Sequence, residues 1–593
     1  MKKKGIVFLL CVALLAAGCG AGSGEAGRGP GKYKKFITID VYDEFSNYQG
    51  LQGGWFAKAV KDRFNMELNI IAPNVAGGGD TLFQTRSAAG NLGDLIIVNT
   101  ANGKFDDLVN AGLILDCEKL VRDKAVMKNY GNAVARANDL VEKDGIYCFP
   151  NSISTQAATE AADWAAPTFG PYIRWDYYKA LGYPVMRNLE DFLDVLEDMQ
   201  RLAREEEGCD DIYAISLFNT WDDNMMNNAK QLACMYGYDE QGFVLSKADG
   251  SDYQSVIDES SVYVSALRFL SRANARGLVD PDSAMQNYDM WASKYQGGKV
   301  LYAPWPWVGP GLYDHAEYKA AGKGFMMAPV MDMRIFAFGC CPEGDATRVM
   351  AVGAGTEDPQ RLVDFIDWLY SPEGVEMNCQ TNGAQGPEGL TWEMGEDGRP
   401  VLTEFGKAAL PDNPVEVPEE YGGGKWSSGV SALNFKTVNQ EEIDPNAGEP
   451  YNYLCWETTL EGDRPSLEKD WSERMKARTV MEYLENQGML LIAPGSGYST
   501  PRENANITTV RAQCKTAVVN GSWELVFAPE EDFDAILREI QTTVRGLGYD
   551  DVYAVDLKNA RDQNEARKAS AERFPGEEQV KDTQEEAPPE KSR

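Results

Sequence analysis

The feature that most constrains the fold is the alternation of short apolar runs with amphipathic helical patterns. MELNII (66–71) alternates apolar and polar side chains, and DLIIV (94–98) is a continuous β-branched run typical of a buried parallel strand. Residues 189–196 follow a helix cap at Asn188 and carry one apolar helical stripe. Strands that alternate with helices predict an α/β fold with parallel sheets and right-handed crossovers.

Length and charge limit the classes of protein and partner. The chain has 593 residues, too many for a single hydrophobic core, so we expect more than one. It carries 91 Asp and Glu against 57 Lys and Arg, a formal net charge of −34. Because this charge repels nucleic acid and anionic lipid headgroups, we expect neither to bind the body of the protein.

The N-terminus has the features of an export signal. Three lysines precede an apolar run, 6–17, which is about half the roughly 20 residues that a membrane-spanning helix needs. The run ends in Ala-Ala-Gly-Cys (16–19), which resembles the lipobox of bacterial lipoproteins, whose cysteine is acylated. We predict a signal peptide over 1–18, a lipid on Cys19 and a flexible tether over 19–34. An ordinary signal peptide is the alternative.

Residues suited to catalysis are scarce. His315 is the only histidine and lies in a helix-like context, so zinc or acid–base chemistry based on histidine has a single candidate. No Gly-x-Ser-x-Gly elbow and no phosphate-binding lysine motif occurs. A glycosidase-type carboxylate pair is not recognisable among so many carboxylates. We expect no catalytic residue, no metal and no cofactor, with a surface glycan-degrading enzyme as an alternative.

Polar and aromatic residues follow several predicted strands. Asp43 and Glu44 come after FITIDV, Asn102 follows DLIIV, and Trp221 follows IYAIS. In open α/β sheets, ligands lie beyond the carboxyl ends of the strands. We therefore predict that these four residues contact a ligand. Turn or cap chemistry is the alternative for the three polar residues.

The segment GGKVLYAPWPW (297–307) places Trp305 and Trp307 just past a predicted strand, between prolines that exclude regular structure. A pyranose has apolar C–H faces and a rim of hydroxyl groups, so flat aromatic rings together with carboxylates and amides can bind it. The prolines would hold the indoles with little entropy to lose on binding. We predict that both tryptophans contact a sugar. The alternative is that they belong to a core.

Four segments carry a resemblance to a known family: WLYSPEG (368–374), GGKVLYAPWPW, WDYYKALGYP (175–184) and the unit from NLGDLIIV to LDCEKL (91–120). Their order and spacing resemble the long lipoprotein subgroup of extracellular solute-binding proteins family 1, the maltodextrin-type receptors of ABC importers. The resemblance implies a periplasmic-binding-protein type II fold, with two α/β lobes, a hinge and a ligand cleft between the lobes. It also implies an ABC permease and its ATPase as partners of a monomeric receptor.

We divide the chain on this basis. The first lobe is predicted over residues 35–150 and 325–390, and the second lobe over 151–324 and 391–560. A polar, charge-rich tail, 561–593, is predicted to be disordered because it offers too little apolar surface to fold.

The function implied by the resemblance is a lipid-anchored receptor on the outer face of the bacterial cytoplasmic membrane, which binds an oligosaccharide and delivers it to the permease. The alternatives are the glycan-degrading enzyme and a binding protein for another solute, such as a peptide or an acidic sugar. An acidic ligand requires cationic side chains in the cleft. Arg174, near the start of the second lobe, is the one candidate that the sequence suggests.

Overall fold

The computed structural model describes residues 32–76, 79–379, 383–410, 415–462 and 464–575. The predicted signal peptide, Cys19 and most of the tether lie outside the described residues, as does the chain from 576 onward. Among the described helices, none combines the length and apolar character needed to cross a membrane.

Strands and helices alternate along the chain, which confirms the predicted α/β class. The strands are β1 (Ile37–Asp43), β2 (Gly50–Leu51), β3 (Met66–Ile71), β4 (Leu95–Asn99), β5 (Phe149–Asn151), β6 (Tyr172–Arg174), β7 (Tyr238–Gln241), β8 (Val244–Lys247), β9 (Tyr253–Ser255), β10 (Tyr302–Ala303), β11 (Phe325–Met327), β12 (Ile335–Phe338), β13 (Asp345–Val352), β14 (Trp392–Met394), β15 (Pro400–Leu402) and β16 (Leu490–Ala493). The helices are α1 (Gly54–Phe64), α2 (Pro73–Ala76), α3 (Gly79–Ala88), α4 (Lys104–Asn110), α5 (Glu118–Val121), α6 (Ala125–Ala137), α7 (Trp175–Ala180), α8 (Leu189–Glu207), α9 (Asn227–Cys234), α10 (Val262–Ala275), α11 (Tyr288–Gln296), α12 (Ala316–Ala320), α13 (Pro359–Leu369), α14 (Pro372–Met377), α15 (Glu404–Ala409), α16 (Trp426–Gly429), α17 (Glu457–Glu461), α18 (Ser466–Met475), α19 (Val480–Asn486), α20 (Ala505–Phe527), α21 (Phe533–Leu547) and α22 (Tyr549–Arg573).

A six-stranded sheet in the order β2-β3-β1-β4-β13-β5 organises the first lobe, which we call the sheet lobe. β1 pairs in parallel with β3 and β4, as predicted, whereas β13 pairs antiparallel with β4 and β5. β13 returns to the sheet from the other lobe, so the helical crossover that makes consecutive strands parallel is absent there. Leu95 and Ile97 of β4 pack with α1 and α13, while Ile96 and Val98 pack with α4 on the opposite face.

The second lobe, which we call the helical lobe, has one core that extends from Phe169 to Phe336 and resumes at Leu467. Its strands β6, β10 and β11 form a small antiparallel sheet. The predicted strand IYAIS makes only isolated bridges, one of them from Tyr213 to Val300. Side chains accept some of the backbone hydrogen bonds of this segment instead: Ala214 N donates to Gln200 Oε1 of α8.

The lobe boundaries differ from those predicted. β11 pairs with β6, so residues 325–336 belong to the helical lobe rather than to the first lobe. Apolar side chains between 390 and 451 pack into the sheet lobe, with Trp426 stacked on Trp55 at a ring-centroid distance of 4.6 Å. This segment has only short strands and helices that bury too little apolar surface alone, and it therefore covers the sheet lobe.

The predicted boundary of the polar tail also differs from the structure. α22 continues to Arg573, well past residue 561. Asn564 of this helix is buried, and its Nδ2 donates to Ser246 Oγ at 3.0 Å. Polarity was misleading here because these side chains pack against β8 with their hydrogen bonds satisfied.

The chain crosses between the lobes in segments that run side by side. β12 pairs in parallel with β16. Ser154 N donates to Cys341 O at 3.2 Å, and Gly495 N donates to Ala158 O at 2.9 Å. These backbone hydrogen bonds form a narrow joint between the two cores, as expected for a two-lobed fold.

Candidate ligand-binding cleft

A cleft of about 1500 Å³ lies between the two lobes. The sheet lobe lines it with residues that follow the carboxyl ends of β1 and β4, and with β13; the helical lobe contributes α9, β7, α20 and α22. Carboxylates, amides, hydroxyls and cations face it, among them Glu44, Asn99, Asn102, Asp223, Arg348 and Arg511. The sheet edge predicted to meet a ligand therefore faces this cleft.

Glu44 lies in the cleft lining, half-buried. Its Oε2 accepts a hydrogen bond from Asn99 N at 3.0 Å, and its Oε1 pairs with Lys104 Nζ at 2.7 Å. The Lys104 ammonium lies 4.2 Å from the ring centroid of Phe83. The loops after β1 and β4 are thus joined at the sheet edge, and a carboxylate and an ammonium are presented together.

Asp43 lies beneath this edge, with none of its surface exposed. It accepts backbone hydrogen bonds from Phe45 N and Ser46 N at 3.0 and 3.1 Å, and from Asn434 N at 3.0 Å. Burial raises the pKa of Asp43 to about 6, although these hydrogen bonds oppose the shift. Direct ligand contact was predicted for Asp43, but its carboxylate is occupied in shaping the cleft wall.

Asn102 lies where the two lobes touch at the cleft. It adopts a left-handed backbone conformation (φ 60°, ψ 28°), which asparagine tolerates better than most residues. Its backbone N donates to Thr500 O at 2.9 Å, and its Oδ1 accepts from Glu503 N at 2.5 Å. Thr500 and Glu503 lead into α20, so Asn102 ties the loop after β4 to the helical lobe.

The predicted tryptophans form one aromatic cluster in the helical lobe. Trp305 is only 4% exposed, and its Nε1 donates to Gln231 Oε1 at 3.1 Å, so this indole belongs to the core. Trp307 is half-buried and stacks on Trp305, with ring centroids 5.0 Å apart. Trp221 is 40% exposed and stacks on Tyr288 at 4.7 Å. The exposed rings are therefore Trp221 and part of Trp307, rather than Trp305 as predicted.

The chain connects this aromatic cluster directly to the cleft. Trp221 precedes Asp222, which accepts hydrogen bonds from Asn227 N (2.8 Å) and Trp523 Nε1 (2.6 Å). Burial raises the pKa of Asp222 to about 6. The next residue, Asp223, lines the cleft and pairs with a lysine of α20. Trp221 therefore lies two residues before the cleft lining, although its own ring is not part of that lining.

Arg174 lies elsewhere. Its guanidinium is almost fully buried and forms a bidentate pair with Asp176 at 2.8 and 2.6 Å, between the rings of Tyr177 and Tyr313. It lines a separate cavity of about 240 Å³ in the helical lobe. Arg174 was predicted as a cation of the ligand cleft, but it is the last residue of β6, which does not end at that cleft.

Sequence reasoning missed much of the cleft. Arg511 of α20 bridges Glu503 and Asp556, each at 2.5 Å, and Asp556 also accepts from Phe243 N at 2.7 Å. The residues of α22 in the lining, 556, 559 and 563, share one face of the helix. That polar stripe is visible in the sequence, but such stripes usually face solvent, so it gave no signal for a site.

Two α/β lobes, a narrow joint and a polar cleft between them define a protein that holds a ligand between its lobes. Residues 56–387 match the profile of the family described as bacterial extracellular solute-binding protein, and the chain belongs to that family. The predicted membership among extracellular solute-binding proteins is thus confirmed. The family consists of binding proteins, and its name places them outside the cell.

Solved structures share the fold at low sequence identity. The alginate-binding protein AlgQ2 without calcium ion is 14% identical, with a TM-score of 0.53 over 90% of this chain and 99% of its own. FusA, an ABC-transporter substrate-binding protein of S. pneumoniae in complex with kestose, is 14% identical, with a TM-score of 0.54 over 88% and 99%. The HMO-binding solute-binding protein of Bifidobacterium longum infantis is 13% identical, with a TM-score of 0.50 over 90% and 100%. No curated protein matches the chain in sequence.

Proposed function

We propose that this protein is a receptor that binds an oligosaccharide in the cleft between its lobes and delivers it to an ABC permease. The cleft carries the proposal: its volume of about 1500 Å³ exceeds the roughly 300–1,000 Å³ of small-molecule pockets. Its carboxylates and amides suit hydroxyl groups, and the exposed ring of Trp221 belongs to a residue two positions before Asp223 of the lining. AlgQ2, FusA and the HMO-binding protein, whose names refer to alginate, kestose and HMO, support a glycan as the ligand.

The action requires no covalent chemistry. A ligand that contacts Glu44 on the sheet lobe and Asp223 on the helical lobe favours the arrangement in which the lobes are close together. The permease and its ATPase recognise that arrangement. The receptor acts as a monomer, held at the outer face of the cytoplasmic membrane by a lipid on Cys19.

Thermal shift against a glycan panel tests the proposal. A ligand at about 100 times its Kd adds about 2.7 kcal/mol to the free energy of unfolding, which corresponds to a rise of a few degrees in Tm for a chain of this size. Oligosaccharides should raise the Tm, while their constituent monosaccharides, which fill less of the cleft, serve as the matched control. Small-angle scattering should show compaction with the same ligand.

Chromatography of the recovered glycan separates a receptor from an enzyme. The sugar should return intact after prolonged incubation. Cleaved product in excess of the protein would replace the receptor proposal with a glycosidase.

The lipid anchor has its own test. Metabolic labelling with a fatty acid should mark the wild type, and Cys19→Ala should lose the label and accumulate as precursor. Equal labelling of both proteins would contradict acylation at Cys19.

A further inference from the structure

Six cationic side chains line the cleft in the part of the chain that the structure describes, and they fall into two groups. Four are paired with carboxylates of the same lining: Lys104 with Glu44, Lys230 with Glu240, Lys515 with Asp223, and Arg511 with Glu503 and Asp556. The other two, Arg348 and Lys436, make no ion pair with any described residue. Both belong to the sheet lobe.

Arg348 projects from β13 over the ring of Phe45, with the guanidinium carbon 3.8 Å from the ring centroid. Its Nη1 donates to the backbone oxygen and to Oδ1 of Asn434, at 3.0 and 3.3 Å. Among the described residues, Nε and Nη2 find no acceptor. Burial lowers the pKa of Arg348, opposed by the fields of nearby carboxylates, so desolvation dominates at this position. The Arg348 guanidinium is thus held in place by Nη1, and its Nε and Nη2 groups remain as donors for a ligand.

Lys436 lies two residues beyond Asn434 and is held through its backbone. Its N donates to Asn151 Oδ1 at 2.9 Å, and its carbonyl oxygen accepts from Ser152 N at 2.6 Å. The Lys436 ammonium makes no hydrogen bond to the described part of the chain, and its half-buried side chain lines the cleft. Asn434 connects the two cations, because it bonds Arg348 and precedes Lys436 on the same extended segment.

The carboxylates around Arg348 are occupied by other donors. Asp43 accepts three backbone N–H groups, and Glu44 pairs with Lys104. Asp345 Oδ1 accepts from Thr347 N at 2.9 Å and from Thr347 Oγ1 at 2.6 Å. Lys436 interacts at longer range with Asp163, whose pKa its charge lowers against the effect of burial. Burial of the Arg348 guanidinium costs desolvation that an anionic ligand would offset.

We propose that Arg348 and Lys436 form a carboxylate subsite, so that the bound oligosaccharide contains a uronate or another acidic sugar residue. This inference rests on the receptor function proposed above. A guanidinium fork matches the two oxygens of a carboxylate, and Lys436 adds a second, compact charge to the same lining. The side-chain amides of Asn151 and Asn434 are already hydrogen-bonded to the chain, so they shape the wall that carries the two cations. Arg174, the cation suggested by the sequence, is already paired with Asp176.

The test compares chemically matched ligands. The probes are oligosaccharides that contain glucuronate, galacturonate or mannuronate, each beside its carboxyl-reduced form, in which only the charge and one oxygen are lost. Hydrogen bonds to charged groups are worth about 1.5–3 kcal/mol, so reduction should weaken binding by about 10- to 150-fold. The affinity of the acidic form should also fall at a pH below the pKa of its carboxyl group.

Variants locate the effect. Arg348→Gln and Lys436→Gln should each weaken binding of the acidic glycan by about tenfold or more. The affinity for its reduced form should change much less. Arg348→Lys keeps the charge but loses the planar guanidinium. Its affinity for the acidic glycan should therefore lie between those of the wild type and Arg348→Gln. Arg201→Gln removes the same charge from an exposed helix face and should leave both affinities unchanged. Melting curves confirm folding, and Lys436→Gln tests the proposal if Arg348→Gln fails to fold.

The outcomes separate this inference from the receptor proposal. If acidic and reduced glycans bind equally, or if only neutral glycans bind, the carboxylate subsite is overturned while the receptor function stands. If Arg348→Gln weakens both forms alike, Arg348 is a general sugar contact and the inference is again overturned. If no glycan in either series binds, the receptor proposal falls, and the inference falls with it.

Discussion

The two lobes meet the cleft with different chemistry. The sheet lobe presents charged and amide groups from strand ends and loops, such as Glu44, Arg348 and Asn434. The helical lobe contributes the Arg511–Asp556 network, and beside it an aromatic cluster whose outer ring is Trp221. The difference lies in ion pairing: among the described residues, every cation that the helical lobe contributes to the lining is paired with a carboxylate, whereas Arg348 and Lys436 of the sheet lobe are not.

The lobes also differ in what they bury. The sheet lobe buries Glu376, Glu441 and Asp444, none of which forms an ion pair with a cation in the described part of the chain. Burial raises the pKa of Glu441 to about 7, and burial together with the charge of Asp444 raises that of Glu376. Both cores hold stacked rings, with Trp55 on Trp426 in the sheet lobe and Trp305 on Trp307 in the helical lobe. In the helical lobe, burial also raises the pKa of Asp314.

The largest expected effect is a loss of stability when a ring is removed from the core of the helical lobe. Trp305→Ala should lower the free energy of unfolding by about 3–5 kcal/mol, because it leaves a cavity beside Trp291 and removes the partner of Gln231. Trp307→Ala, at a half-buried ring, should cost less. Denaturant unfolding of both variants measures this. A stable Trp305→Ala protein with a large loss of sugar affinity would restore the interpretation of this ring as a ligand contact.

The second effect is the pH dependence of the sheet lobe. Glu376 and Glu441 have raised pKa values in the folded state, so near pH 7 the native state binds more protons than the unfolded chain. The free energy of unfolding should therefore fall as pH rises through 7 toward 8, by up to about 1.4 kcal/mol per pH unit for each such group. We expect a loss of about 2 kcal/mol or more between pH 6 and pH 8.

A variant identifies the source of this dependence. Glu376→Gln mimics the protonated carboxyl beside Asp444 and should flatten the profile, measured at high salt to screen the net charge. An unchanged slope in this variant would assign the pH dependence to other groups.

The sequence predicted local structure well where the cause was local. The alternation in MELNII gave β3 with its observed bounds, and Asn188 caps α8 by accepting from Glu190 N and Asp191 N. Ser371 caps α14 in the same way, since it accepts from Gly374 N. Each of these depends on a few neighbouring residues, so pattern and capping chemistry were sufficient.

The cleft could be predicted only in part, because its remaining residues are brought together by distant contacts. Glu44 and Asn102 follow strands in one sheet, so the sheet topology alone places them at one edge. Arg348 lies in a strand recognised by its apolar run, and Lys436 lies in a segment without periodicity. The orientation of Trp305 depends on Gln231, 74 positions away, which no local pattern reveals.

A smaller effect is expected at the outer ring. Trp221→Ala should weaken oligosaccharide binding by about 5- to 30-fold, equivalent to about 1–2 kcal/mol of ring contact, with little change in Tm because the ring is 40% exposed. Trp164→Ala is the matched control, since Trp164 is 38% exposed and, unlike Trp221, has no residue of the cleft lining close to it in sequence. Titration calorimetry measures both. Equal affinities for the two variants would remove the aromatic cluster from the binding surface.

The smallest effect concerns Asn102, the residue that the two lobes share. Asn102→Ala removes the acceptor for Glu503 N and also places a β-carbon without a polar group in the left-handed region. Asn102→Gly removes the same acceptor but fits that backbone conformation without strain. We expect the glycine variant to lose about 0.5–1 kcal/mol, since the site is exposed, and the alanine variant to lose about 1 kcal/mol more.

Denaturant unfolding of the two variants separates the two contributions. Their difference reports backbone strain, and the loss common to both reports the side-chain bond across the lobes. If both variants match the wild type, the bond from Glu503 N contributes nothing, and the backbone bond from Asn102 N to Thr500 O and the other contacts hold this loop to the helical lobe. If only Asn102→Ala is destabilised, the backbone conformation of the loop after β4 contributes to stability, and the hydrogen bond from Glu503 N to the Asn102 side chain does not. A loss in both variants, larger in alanine, would show that the polar edge of the sheet lobe depends on the helical lobe for its shape.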